Sequence, residues 1–226
     1  RQYRLRTTAV AWRDEKGTRY ANDAVIELEP NTTLYRLNST YNINYVYEGE
    51  LEDVQTTYKL DKALALTGRV NHEHYTFEGW YKDAQFTEEI KEIPAGTYGD
   101  ITVYAKLVPK TYSIIYKNVE NVTNISKLPK SYVYGNATAI STPLKICYLF
   151  DGWYSDEKLT EKFDKINKTT GGDIVLYAKW SANHDVDRKN GVVIEEATTI
   201  KQGKIRYKCK NCTYTEIDTI PCKVTQ

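Results

Sequence analysis

The residues best suited to chemistry gather near the end of this chain: His184, Cys209, Cys212 and Cys222. Cys-x2-Cys is the spacing with which one tight turn presents two thiolates to a metal ion, and a histidine with a third cysteine would complete a tetrahedral set. That donor set predicts a structural zinc. Within residues 182–226 a metal would also compensate for a small core. The same residues allow two other states, a disulfide from Cys222 to one of the pair, or free thiols. Cys147 stands alone, far upstream, and reads as a small buried apolar residue.

Two further groups contain metal-ligating types but the wrong spacing. His72-Glu73-His74 places its histidines two apart ahead of a strand, whereas the catalytic zinc helix needs them four apart. It reads as a solvated loop. Asp185-x-Asp187 with Asn190-Gly191 and Glu196 resembles a calcium loop in part, yet Lys189 occupies a ligand position and the glycine of the sharp turn is missing. No nucleophile elbow, phosphate-binding glycine loop or Ser/His/Asp set is visible, and three histidines leave little general-base material. No catalytic residue and no organic cofactor is expected.

Composition narrows the partners. Thirty-one Lys and Arg face 30 Asp and Glu, for a net charge of +1, with both signs scattered along the chain. Nucleic acid needs a concentrated basic footprint and is excluded as a partner. No apolar run approaches the roughly 18 residues of a membrane-spanning helix. The absence of a signal peptide and of any methionine reads as a mature or excised part of a longer polypeptide. Twenty tyrosines against four phenylalanines, with 26 threonines, favour strands over helices. Seven Asn-x-Ser/Thr sites, at Asn31, Asn38, Asn121, Asn124, Asn136, Asn167 and Asn211, fit either glycosylation in a secretory route or asparagines that begin turns.

The elements that carry these residues are set by a repeat. Residues 77–107 match residues 150–180 at 15 of 31 positions without a gap, where chance gives roughly two. Phe77-Glu78-Gly79-Trp80-Tyr81 returns as Phe150-Asp151-Gly152-Trp153-Tyr154, and Ile101-Thr102-Val103-Tyr104-Ala105-Lys106-Leu107 returns as Ile174 to Trp180. Each unit opens on a strand, Tyr41-Asn42-Ile43-Asn44-Tyr45 or Tyr112-Ser113-Ile114-Ile115-Tyr116. Residues 1–39 read as the C-terminal half of an earlier copy, with Ala11-Trp12 in place of Gly-Trp. The resulting plan is a half repeat over 1–39, complete repeats over 40–109 and 110–181, and a cysteine-bearing β module over 182–226.

Alternation predicts which faces are core. In the closing strand, Ile174, Leu176, Ala178 and Trp180 share one face. In the aromatic strand a strict period of two places Phe150, Gly152 and Tyr154 opposite Trp153, with glycine leaving room for a neighbouring ring. Phe86, Ile90 and Ile93, like Leu159, Phe163 and Ile166, are spaced four and three apart and predict one or two helical turns. Trp80, Trp153, Trp180, Gly79 and Gly152 are therefore read as structural. A tryptophan that recurs once per unit beside a glycine, as Trp80 and Trp153 do, is explained by building the unit.

Aromatic-x-Gly-Trp-Tyr, followed about 22 residues later by Ile-x-Leu-Tyr-Ala-x-Trp and preceded by Tyr-x-Ile-x-Tyr, resembles the Listeria-Bacteroides repeat, of which the internalin B-repeat is a member. The resemblance covers residues 41–180 and, in fragments, 1–40. It implies small β-grasp-like modules in tandem within large secreted or wall-attached bacterial surface proteins. The chain departs from that family at Tyr47-Glu48-Gly49-Glu50 and Asn118-Val119-Glu120-Asn121, where a Gly-Gly turn is usual, and at His74 and Cys147, where glycine often stands. Residues 182–226, with Glu-Ala-Thr, Gly-x5-Cys-x2-Cys and Ile-Pro, look like a short cysteine-bearing module that follows such repeats in clostridial surface proteins. One cysteine of that module's usual set is replaced here by Thr198 or Thr199.

The expected fold is mainly β, α+β at most: tandem β-grasp-like repeats followed by a small β module. The expected role is a non-catalytic stalk or spacer of an extracellular, cell-surface or wall-attached protein, an elongated monomer contributing to adhesion toward a host or cell-surface protein or glycan. The alternatives are a carbohydrate- or wall-binding module using exposed aromatic faces, and an accessory region of a large extracellular enzyme.

Overall fold

In a computed structural model that describes residues 2–5 and 10–224, the alternating segments form β-strands, and no α-helix occurs among the described residues. Residues 1 and 6–9 of the expected half repeat, and 225–226 of the terminal module, lie outside the described residues.

The first complete repeat is a four-stranded sheet in the order Tyr75–Tyr81, Ile101–Pro109, Thr40–Val46, Thr57–Lys59. Its opening strand runs parallel to its closing strand, Ile43 beside Ile101, and antiparallel partners flank this pair. A parallel pair needs a long crossover, which here carries the rest of the module. The second repeat has the same plan with a fifth strand, in the order Ser131–Val133, Thr111–Lys117, Ile174–Ala182, Tyr148–Tyr154, Lys162–Phe163. Each repeat holds its own apolar core. Ile43, Tyr58, Val70, Trp80, Ile93, Val103 and Ala105 form the first, and Ile114, Leu128, Tyr132, Trp153, Ile166, Leu176 and Ala178 the second. The inward face expected for the closing strand is the one observed.

The aromatic strand departs from strict alternation. Its register shifts between Phe77 and Gly79, and again between Phe150 and Gly152, so Glu78 and Asp151 are bulge residues. One extra residue re-phases the strand, and Phe150 and Trp153 both turn inward, edge to face at 5.1 Å. Phe77 and Trp80 do the same at 5.1 Å. The expectation that Phe150 and Trp153 lie on opposite faces is thus corrected. The glycines also have a backbone reason: Gly79 and Gly152 have φ of 149° and 138°, a region that side chains disfavour. What lies nearest is the Glu89 side chain at Gly79 and the Lys162 side chain at Gly152, with the edge of the Tyr154 ring behind the latter.

The helical turns expected over 83–93 and 156–166 are absent, and extended pairs Glu92–Ile93 and Lys162–Phe163 occur instead. Asp83 explains it locally. Its carboxylate accepts the N–H groups of Gln85, Thr87 and Glu88 and the Thr87 hydroxyl, giving the backbone an alternative to a helical ladder. Phe86 then sits at φ 56° and Leu159, after the equivalent Asp156, at 56°. Part of the apolar spacing still serves the core, since Ile90 and Ile93 pack there, as do Phe163 and Ile166, while Phe86 is exposed.

The tyrosine excess has a physical origin in both repeats. Tyr132 donates its hydroxyl to the Gly172 carbonyl at 2.5 Å, as Tyr58 does to Gly99. Tyr45 and Tyr116 donate to Gln55 and Pro129, both at 2.8 Å. Each ring fills core while its hydroxyl ties a loop, which phenylalanine could not do.

The chain divides into two compact units, residues 1–110 and 111–226. Within the first, Ala11 and Leu37 pack on Leu60 of the complete repeat. Here Ala11, not Trp12, is fully buried. Within the second, a three-stranded sheet of Val192–Glu195, Gly203–Lys208 and Thr215–Ile220 follows the repeat.

Candidate metal centre

Cys209 and Cys212 occupy the connection between the strands Gly203–Lys208 and Thr215–Ile220, pinned by the Cys209 N–H donating to Tyr214 O at 2.9 Å. His184 follows the closing strand of the second repeat. Its ring is sandwiched, stacked on Tyr214 at 4.0 Å and 5°, with Tyr148 edge-on at 5.9 Å. The neighbouring segment is tied back to the same hairpin by Asp187 N–H to Lys208 O, Lys210 N–H to Asp185 O, and the Lys210–Asp185 ion pair at 2.9 Å.

These ties bring three of the four expected ligands together. The fourth is different. Cys222 is exposed and lies outside the group, its segment held elsewhere by Lys223 N–H donating to Thr198 O. Cys147 takes the remaining place: ligand atoms of Cys147, His184, Cys209 and Cys212 all lie within 4.8 Å of one another. Cys147 is half-buried instead of being a core residue. The Cys147 and Cys209 sulfurs are 3.5 Å apart, and Cys212 Sγ is 3.4 Å from His184 Nδ1. A tetrahedral zinc with Zn–S near 2.3 Å and Zn–N near 2.05 Å has S···S edges of about 3.8 Å and S···N edges of about 3.5 Å. The donor set matches the ion in type and number, and the Cys147–Cys209 and Cys212–His184 separations lie near those edges.

The electrostatics already favour a thiolate. The Cys209 thiol is pulled down to about 6, first by the backbone N–H of Asn211 and then by hydrogen bonds from Cys147, Cys212 and His184. Cys147 is pushed up to about 12 by its hydrogen bond with Cys212, by burial and by Cys209. Cys209 is thus held low and Cys147 high, and the thiolate is the form of cysteine that binds a metal.

The other candidates do not converge in this way. Asp187 accepts from Asn190 Nδ2 at 2.7 Å and from Lys189 N–H within its own loop, while Asp185 pairs with Lys210 of the hairpin, so both carboxylates are already engaged. His72 accepts the His74 N–H through Nδ1 at 3.1 Å and meets Tyr75 edge-on. Among the described residues, the Cys/His group is the one convergence of three or more metal-ligating side chains. Of the tryptophans, Trp80 and Trp153 are buried, and Trp180 is half-buried, packing on Phe150 and donating to Asn118 O at 2.8 Å.

Fold and site together define a tandem β-repeat protein with a cysteine-histidine centre at its last repeat. The Listeria-Bacteroides repeat domain matches residues 41–106 and 112–179, more than half of the chain, and the chain belongs to that family. Repeats of this family are typical of surface proteins, and such domains are typically non-catalytic. A relative from Evansella cellulosilytica, provisionally named a membrane protein, is 34% identical over 115 residues, covering 49% of this chain and 16% of the relative. Another from the same organism, provisionally named a Gly-rich membrane protein, is 33% identical over 114 residues, 49% of this chain and 13% of its own length. The chain spans less than a fifth of the length of these curated relatives. No solved structure matches it. No helix among the described residues is long and apolar enough to cross a membrane.

Proposed function

We propose that the chain is a non-catalytic stalk or spacer of a secreted or wall-attached surface protein, contributing to adhesion toward a host or cell-surface protein or glycan. One observation carries this reading: the conspicuous residues of one repeat do the same structural work in the other. Trp80 and Trp153 are core, Tyr58 and Tyr132 tie the same turn, and Asp100 and Asp173 accept the N–H of Asn42 and Ser113 at 2.8 and 2.7 Å. Residues devoted to building modules fit a spacer, because each module then adds length by resting on its own core. Burial of both tryptophans counts against their serving as sugar-stacking platforms. Adding a further copy of residues 41–110 to the full-length surface protein should lengthen its reach from the cell without changing any activity. Loss of a catalytic or glycan-binding activity on altering these core residues in folded protein would overturn the reading.

The same reading assigns a structural zinc to Cys147, His184, Cys209 and Cys212, supported by their spacing and donor types. Elemental analysis should give about one equivalent of zinc. Metal-free protein lighter by two hydrogens, the mark of a disulfide, would overturn it.

A further inference from the structure

The terminal sheet has little to stand on. None of the apolar core clusters contains a residue beyond Trp180, and Val192, Val193, Ile194 and Ile217 are exposed. Ala197 and Cys209 are its buried apolar residues. A small sheet of this kind needs a staple, and the converging group supplies one whose four ligands do not all belong to it. His184, Cys209 and Cys212 come from the segment after the repeat. Cys147 comes from inside the repeat, immediately before the aromatic strand Tyr148–Tyr154.

The repeat architecture explains how Cys147 reaches that far. In the first copy, the N–H of Lys110, just past the closing strand, donates to His74 O at 2.9 Å. In the second, the N–H of Asn183 donates to Cys147 O at 2.8 Å. The residue before the aromatic strand therefore lies at the module's exit, beside whatever comes next in the chain. In the first copy Lys110 Nζ fastens this exit through the carbonyls of His72 and Glu73. In the second, His184 follows Asn183 directly and the thiol of Cys147 faces Cys209. Cys147 also holds φ 63°, a conformation that favours glycine, so the backbone gains nothing from a cysteine there. Its side chain is what the position uses.

We infer that the metal is the fastening between the last repeat and the terminal sheet, a cross-link made only when Cys147 of the repeat joins His184, Cys209 and Cys212. This rests on the zinc reading above. It makes the 182–226 segment dependent on the repeat for its order, and makes residue 147 a ligand that this copy carries and the first copy does not.

The test measures zinc affinity by competition with a chromophoric chelator on the full chain, for wild type, Cys147→Gly and Cys222→Ser, with amide hydrogen exchange over residues 183–224. Glycine suits φ 63°, so the repeat should keep its fold, checked by the protection of its core amides. Cys147→Gly is expected to lower affinity by more than about 100-fold, the range that even outer-shell partners reach. It should also abolish the zinc-dependent protection of residues 183–224. Cys222→Ser should change neither. Unaltered affinity in Cys147→Gly with loss in Cys222→Ser would confine the ligands to the terminal segment, overturning the cross-link while leaving zinc in place. Failure of wild type to bind zinc at all would overturn both.

Discussion

The sulfur of Cys147 lies 3.5 Å from that of Cys209, a residue 62 positions further along the chain. That separation is well beyond the ~2.05 Å of a disulfide and close to the edge of a metal-centred tetrahedron. It joins a loop of the last repeat to a turn of the terminal sheet, and nothing in the linear spacing of the cysteines announces it.

Thiol reactivity should separate the four cysteines. In zinc-loaded protein, alkylation followed by mass spectrometry should modify exposed Cys222 quickly and Cys147, Cys209 and Cys212 slowly. A strong chelator should remove the difference. Equal reactivity before chelation would contradict the grouping.

The two core tryptophans should respond unequally to loss of the indole N–H. Trp80 donates to Gly68 O at 2.7 Å, whereas Trp153 Nε1 has no partner. Replacement by phenylalanine leaves a cavity in both, but only Trp80→Phe also strands a carbonyl, a difference of about 1–3 kcal/mol. Hydrogen exchange of the core amides in each repeat reads the two costs separately. Equal costs would show that Trp153 has a hydrogen-bond partner of equal worth.

Alanine at either bulge glycine should destabilise its own repeat by about 1–3 kcal/mol, because φ of 149° and 138° is strained for any side chain. The same readout checks it, and the other repeat serves as the internal control. Wild-type protection in Gly152→Ala would mean that the bulge can relax.

Acid should weaken both repeats through equivalent carboxylates. Hydrogen bonds from the Asn42 and Ser113 N–H groups hold Asp100 and Asp173 below the usual 3.8. Asp83 and Asp156 are lowered likewise, Asp83 chiefly by the Thr87 hydroxyl and Asp156 by the Glu161 N–H. Their stabilisation is complete above about 3.8 and is lost as pH falls through the lowered folded values. Melting curves from pH 7 to 2 should show a falling acid limb, made shallower by Asp100→Asn and Asp173→Asn. An unchanged limb would assign the loss to other groups.

The repeat period, the mainly β class and the inward faces of the closing strands were readable because each recurs, and recurrence separates pattern from chance. The bulge was not, since Glu78 and Asp151 have no residue type that marks an inserted position. The loops after Tyr81 and Tyr154 misled because apolar spacings of four and three are also met by a chain folded around an aspartate, and Phe86 at φ 56° is visible only in the backbone. For Cys147 a signal did exist. It is the residue that differs from its counterpart His74 at a module exit, and the exit carbonyl is bonded one residue before His184. Reading it required knowing that the start of the aromatic strand and the end of the closing strand meet.

Zinc K-edge X-ray absorption on the full chain, purified under reducing conditions, tests the centre most directly. Three sulfurs at about 2.3 Å and one nitrogen at about 2.0–2.1 Å are predicted, with one sulfur lost in Cys147→Gly. Absence of zinc, a shell of oxygen and nitrogen alone, or three sulfurs retained in that variant would contradict it.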